Sequence, residues 1–513
     1  MVNTTDTPVT NPTYMQDIRY FFEQGDIDCM KGQGIELGTY EGVKANAFRV
    51  YSRVKEGSMP PPSLNRPWSE ARVETFYNWM ATDYPRGIAS PDSSLVTTSS
   101  TASRQRKNIR DLSTDEINKL KDAFRGIMAK DPSDSQSYYA LAGIHWLPGA
   151  GPGEYYCRHH ENAYNPWHRI YLMKLEDALR SIPGCEDVTL PYWDITESTV
   201  PDVLYEEPFA NYTVPERLCS INGSCYPTAD DGSLYTTQRF DSPKIIENIN
   251  DPTVDIPENI TEALGHAHWE KFNGWDEGSR TQDGIIRAHD NGHNATGSTM
   301  QNQDVAAFDP IFWFFHCNWD RIWWKWQQSF GATTVDTFKT HLEGSADWLT
   351  DPVINKLPPF SEGCDQTIDL LSWNVDYVHP TAEEAVAMTT RRFGNFMAKS
   401  AFQLSADPKV SVRVKGIDRL KIPGSFDVYL YVGDEVIAKQ GFFQSTASTH
   451  CGTCRKKGII NIDFKVHQSK LMGGKVYTKI KVLRPSGTAR EFPLVNCGDP
   501  TINVRLLLED YSQ

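Results

Sequence analysis

Apolar residues fall at helical spacing through roughly the first four hundred positions and then switch to alternation, so the chain predicts an α+β multidomain fold. A mainly α-helical bundle comes first and a C-terminal β-sandwich follows. In LSTDEINKLKDAFRGIM, Ser113 and Glu116 form a capping box ahead of the stripe Ile117, Leu120 and Phe124, which predicts the first long helix of the bundle. Upstream, MQDIRYFF and ARVETFYNWM are helix-like and flank the loop MPPPSLNRPW, with Val73, Phe76, Tyr77 and Met80 on one helical face. The Ser/Thr-rich stretch 92–103 reads as an exposed connector. It separates a mostly helical extension, residues 1–100, from a central domain, residues 101–395. Residues 198–259 are rich in turn formers, the texture of a long loop that shapes a site's rim. Beyond about residue 400, KVSVRVKGI, FDVYLYVGDEVIA, GIINIDFKV, KVYTKIKVL and TINVRLLL are β-branched runs punctuated by Gly, Pro and Asp, which predicts a sandwich over residues 396–513.

Composition narrows the partners. A chain of 513 residues calls for two or three modules. Its net charge of −15 argues against nucleic acid or an anionic membrane surface and leaves small molecules. No run of about 18 apolar residues appears, so no transmembrane helix is expected. The start MVNTTDTPVT lacks the basic and apolar regions of a secretory signal, so the expectation is a cytoplasmic or otherwise intracellular protein, or one whose leader has been removed. Ten cysteines are too dilute for a disulfide scaffold. Cys29, Cys185, Cys219, Cys225, Cys364 and Cys497 show no metal spacing, and a bridge between Cys219 and Cys225 stays open. Sequons at Asn3, Asn211, Asn222, Asn259 and Asn294 read as chance matches.

Six histidines change the picture. His145, His159 and His168 form one triplet, and His289, His293 and His316 a second. Three imidazoles per ion, with no carboxylate or thiolate fixed into either motif, suit copper or zinc rather than magnesium or calcium, and copper better than zinc. His289 and His293, four apart, share one face of a helix. Asn165-Pro166 and Asp309-Pro310 are helix-start signals, so His168 and His316 each ride on a capped helix. The aromatics Trp313, Phe314, Trp319, Trp323 and Trp324 are mostly core, with a few available to line a pocket.

The segments YCRHHENAYNPWHRIYL, LPYWD and DPIFWFFHCNWDRIWWKWQ resemble the copper signatures of type 3 copper proteins, the tyrosinases, catechol oxidases and hemocyanins, over roughly residues 104–385. The resemblance implies two copper ions bridged by O2 or peroxide, one on His145, His159 and His168 and the other on His289, His293 and His316. It implies a tyrosinase that uses O2 to hydroxylate monophenols and to oxidise o-diphenols to o-quinones, as in melanin biosynthesis. A catechol oxidase without monophenolase activity and a hemocyanin-like oxygen carrier are the alternatives, and a zinc hydrolase is a rival from another class. Phenols and O2 are the expected partners, with homo-oligomers left open.

Departures from the family pattern sharpen these expectations. Phe315 precedes His316 where many members carry a second histidine, and His160 stands beside His159 as a neighbour without a metal. Asp290 follows the first ligand of the second site, where several tyrosinases carry Asn. With no glutamate shortly before His289, Asp290 is the candidate catalytic base. Cys157-Arg158-His159 matches the spacing at which relatives form a Cys–His thioether, against a buried free thiol. Similar C-terminal domains keep latent members, or zymogens, closed with an inserted residue. Phe442 and Phe443 are the candidate plugs, with strand core as their other reading. Cys451 and Cys454 form a lone CxxC, either a disulfide or redox-sensitive turn or a Cu(I) delivery site.

Overall fold

The computed structural model describes residues 7–85, 104–145, 158–215, 234–378 and 407–506, with short gaps inside the first, fourth and fifth stretches, and the pieces 156, 218–219 and 225–226. The connector 92–103, Cys157 and Cys451 lie outside the described residues. The chain divides into two compact units, the first made of Met1–Thr98 with Gln327–Ala332 and Leu508–Gln513, the second of the remainder.

The first unit holds helices α1 (Gln24–Lys31), α2 (Tyr40–Lys55) and α3 (Glu70–Ala81), and on α3 the Trp79 ring meets those of Tyr14, Tyr40, Phe76 and Tyr84. The predicted apolar face of α3 is displaced. Tyr77 is half exposed, while Thr75, Phe76 and Trp79 are buried, because the large indole claims the inner side of the helix.

The second unit opens with α4 (Thr114–Met128), on which the Ser113–Glu116 capping box forms and Leu120, Phe124 and Ile127 are buried. Helices α5 (Tyr138–His145), α6 (Tyr164–Arg180), α7 (Ser242–Ile249), α8 (Ile256–Gly265), α9 (Trp269–Asn273), α10 (Gly284–Thr296), α11 (Ile311–Ser329) and α12 (Val335–His341) follow. α10 is buried at every position. α6 begins at Tyr164, with Asn165 already inside its first turn and donating to Asn273 Oδ1 at 3.0 Å, so the expected Asn165 cap is replaced by a tertiary bond. At α11 the expectation holds: Asp309 Oδ1 accepts from the Ile311 N–H at 3.2 Å. A fully buried ionic network ties α6 to α11. Asp320 accepts from Arg169 at 2.5 Å and from Arg106 at 3.1 Å, and Arg106 also reaches Glu176 at 3.0 Å. Arg169 adjoins His168 and Asp320 lies one turn past His316, so the network fixes the register of the helices that carry those histidines.

The C-terminal strands are β1 (Lys409–Asp418), β2 (Phe426–Val432), β3 (Glu435–Phe442), β4 (Ile459–His467), β5 (Val476–Leu483), β6 (Ala489–Phe492) and β7 (Thr501–Leu506). They pair antiparallel in two sheets of a sandwich, ordered β4-β1-β7 and β6-β5-β2-β3. FDVYLYVGDEVIA contributes two of these strands, turning at Gly433-Asp434.

β3 packs along α10 with no room for a side chain at the crossing. A Cβ on Gly441 would meet Asn294 Nδ2 at 2.5 Å and Asn291 Oδ1 at 2.9 Å, while the Gly441 N–H donates to Asn291 Oδ1 at 2.6 Å. Around the seam the ion pairs share one polarity. Lys409, Lys439, Lys457 and Lys465 of the sandwich face Glu258, Asp251, Glu277, Glu262 and Asp283 of the helical part. The sequons at Asn259 and Asn294 are buried, and both side-chain amides are hydrogen-bonded inside the fold, so neither position accommodates a glycan. Among the described residues no helix is long and apolar enough to cross a membrane.

Gly441→Ala is expected to cost about 1–3 kcal/mol through overpacking. Thermal unfolding and amide exchange along 435–442 measure it, and wild-type values for both would contradict the close approach.

Candidate metal centre

The six histidines come from five parts of the chain and meet in two buried clusters. In each triplet the ligating nitrogens lie within 4.8 Å of one another. His145 ends α5, His168 sits on α6, His289 and His293 are one turn apart on α10, and His316 is on α11. His159 enters from the loop before α6. His160 beside it has a left-handed backbone, φ 58°, a conformation histidine tolerates better than most residues. The turn separates the neighbours: His159 joins its triplet while His160 reaches Asp290. The clusters abut, with the His168 and His316 rings stacked at 4.4 Å between centroids.

Four of the six rings are aimed by their other nitrogen. His145, His168 and His293 engage the carbonyls of Gln303, Tyr164 and Met300 at 3.1, 2.9 and 2.8 Å through Nδ1, and His289 engages Asp290 Oδ1 at 2.9 Å. The Gln303 amide also approaches His159 Nδ1 at 3.3 Å. These contacts leave Nε2 of His145, His168 and His289 buried without a hydrogen-bond partner, and Nε2 of His293 lies 3.2 Å from Nε2 of His316. Burial pushes His145 down to about 3 and the other five well below the ordinary histidine range, so all six are neutral imidazoles. Buried lone pairs converging in threes match a copper or zinc ion, and nothing in the donor set suits magnesium or calcium.

Behind His289 lies a network that local sequence does not reveal. Asp290 is fully buried. Its Oδ1 faces His289, and its Oδ2 accepts from His160 Nε2 and from the Phe443 N–H, both at 3.0 Å. Burial raises the Asp290 carboxyl, with His160 beside it opposing the rise; burial also lowers His160, to about 4. His160 is stacked by Phe442 at 4.3 Å and approached at Nδ1 by Arg419 at 3.3 Å. The candidate base thus has both oxygens engaged, one of them on the ring nitrogen of His289 opposite its unpartnered Nε2. Its geometry is that of a residue that orients a ligand.

The two candidate plugs separate. Phe443 stacks on His293 at 3.9 Å and 13° and meets His159 and His289 edge-on, whereas Phe442 touches His160. Both rings are buried. Cys454 is buried, and its partner in the CxxC lies outside the described residues. Cys219 and Cys225 face each other as backbone partners in a short antiparallel pairing.

Residues 135–329 match the common central domain of tyrosinase. Over 483 residues the chain is 25% identical to a tyrosinase of Aspergillus oryzae, covering 71% of this chain and 85% of that one. It is 28% identical over 281 residues to an A-type hemocyanin of Enteroctopus dofleini, covering 52% of this chain and 21% of that one. The chain spans 49% to 60% of the length of the next curated relatives it resembles, a polyphenol oxidase of Agaricus bisporus and two tyrosinases of Hahella. The fold is shared with the solved tyrosinase of Burkholderia thailandensis, at 20% identity and a TM-score of 0.56, over 78% of this chain and 99% of that one. Lying within the matched domain, the paired triplets fit two copper ions. Residues 135–329 carry the common central domain of tyrosinase, and the chain is similar to tyrosinases and to hemocyanins, both type 3 copper proteins.

Asp290→Asn keeps an acceptor for His289 but removes the charge that holds its ring and that of His160. Copper affinity is expected to fall about 10–100-fold, as for other groups that orient a metal-bound histidine. Competition with a chelator measures it, and unchanged affinity would remove Asp290 from this role.

Proposed function

We propose that the protein is a tyrosinase-type phenol oxidase, kept latent by its C-terminal sandwich. His145, His159 and His168 would hold one copper and His289, His293 and His316 the other. Copper bound there supplies the redox couples through which O2 is reduced as a phenol is oxidised. The chain's own groups do the rest. Neutral buried imidazoles keep water and protons from the ligating nitrogens, and Asp290 fixes the His289 ring.

The observation that carries the reading is Phe443. Its ring lies flat on His293, so the site accepts a six-membered aromatic ring on that imidazole, and a phenol entering there would have to displace it. The charged rim offers a way to release it. Burial alone would raise Asp283, but Lys465 and Arg287 beside it hold the carboxyl below its usual range. Asp251 is likewise low, with burial outweighed by Thr253 and Lys439. Carboxyls depressed in the folded state stabilise docking above their ordinary pKa of about 3.9 and lose that contribution as pH falls below it. A catechol oxidase shares every feature named so far. An oxygen carrier shares them too, and the described residues hold two histidine triplets as either reading requires.

Elemental analysis of protein produced with ample copper is expected to give two coppers per chain, and one metal or zinc alone would contradict the proposal. The intact protein is expected to turn over bulky phenols slowly. Cleavage between residues 390 and 405, or exposure below about pH 4 with copper retained, should raise the rate at least tenfold. Phe443→Ala should do so more than Phe442→Ala. Oxidation of a monophenol without a diphenol primer after cleavage marks a tyrosinase, diphenol turnover alone a catechol oxidase, and reversible O2 binding without turnover a carrier.

A further inference from the structure

We infer that the seam between α10 and strands β2 and β3 holds a binding site for a small zwitterion, an α-amino acid without a bulky side chain, which clamps the sandwich onto the helical part. A cavity of about 150 Å³ lies there, room for several waters or one small organic molecule. Asn291, Asn294 and Gln301 line it from the helical side, and Asp427, Tyr429 and Lys439 from the sandwich.

Its lining is chemically unfinished. Asn291 Nδ2, Asn294 Oδ1 and Gln301 Oε1 have no hydrogen-bond partner, although the three residues are only 3%, 9% and 7% exposed. Buried amide groups are seldom left this way, and three around one cavity point to something that binds them. Asp427, 6% exposed, accepts from Asn294 Nδ2 at 2.8 Å and more loosely from the Tyr429 hydroxyl at 3.4 Å. Burial raises its carboxyl, an unfavourable charge that a cationic group would relieve. Lys439 pairs with Asp251 at 3.1 Å at the rim.

The groups sort by sign. Asp427, Asn294 Oδ1 and Gln301 Oε1 are acceptors and suit an ammonium; Asn291 Nδ2 and Lys439 are donors and suit a carboxylate. A bare cation would leave the donors unanswered, and a bare anion would face Asp427. An amino acid answers both.

Because its partners are split between the two parts, such a ligand binds only while they are together, and by linkage it stabilises that state. The strand that supplies Lys439 leads within four residues to Phe443, so the clamp acts on the ring over His293. Only this last step rests on the proposed latency.

The test is calorimetric titration of the full-length, copper-loaded protein with glycine and alanine, using methylammonium and acetate as half-ligands. Glycine is expected to bind saturably, each half-ligand at least tenfold more weakly. Asp427→Asn and Gln301→Met are each expected to weaken glycine tenfold or more, so the second variant carries the test if the first fails to fold. Glycine should slow the latent enzyme and leave the cleaved one unaffected. Absence of binding, unchanged binding in the variants, methylammonium binding as tightly as glycine, or crystals grown in glycine that show only water in the cavity would overturn the proposal. The isotherm needs no turnover, so an inactive protein that still binds glycine would defeat the oxidase reading and leave this site standing.

Discussion

The carboxylate of Asp290 is the point on which the centre depends. Burying it without partners would cost several kcal/mol, and the structure meets that cost with contacts from three separate parts of the chain: the adjoining His289 ring, the His160 ring and the Phe443 N–H. Each contact constrains a different feature. The first orients a ligand, the second holds the loop that carries His159, and the third sets how far β3 advances over the cavity. Were His160 absent, the carboxylate would lose a bond and the loop would lose the reason for its left-handed turn.

Neutral imidazoles are the second constraint, and here burial works for the site. Desolvation disfavours the imidazolium form, so every ligating nitrogen keeps its lone pair across the neutral range. Burial this deep needs rigid walls, which is why the two most exacting helices are bolted together through Arg169 and Asp320. That bolt is costly to desolvate and strongly destabilising to break, the property of a device that fixes geometry more than it adds stability.

Much of this was legible in the sequence. Six histidines at helical and family spacing identified both clusters, the Ser113 box identified α4, and alternation marked five runs that cover six of the seven described sandwich strands, missing the turn inside FDVYLYVGDEVIA and the strand Ala489–Phe492. What escaped was long-range and polar. Arg419 is 259 residues from the His160 it contacts, and Asp290 gave no local sign that its oxygens would be claimed by another part of the fold. Periodicity reports which face of a segment is buried and is silent about which polar group answers a buried charge. Tyr77 failed for a related reason: helical spacing placed it with Phe76, but Trp79 outweighed it for the inner side.

The sandwich is held by two kinds of contact that do different work. Lysine–carboxylate pairs at the rim are half-exposed and each contribute about 0.2–1 kcal/mol, so they set orientation and respond to salt and acid. The ring of Phe443 and the backbone of Gly441 are buried and fix the depth of docking. Because the Phe443 N–H is itself bonded to Asp290, any movement of β3 that withdraws the ring from His293 also removes a donor from that carboxylate. The same movement lifts Phe442 from His160. Access to the centre and the electrostatics behind His289 are therefore one variable. A chain that opens its site cannot leave the environment of that ligand as it was.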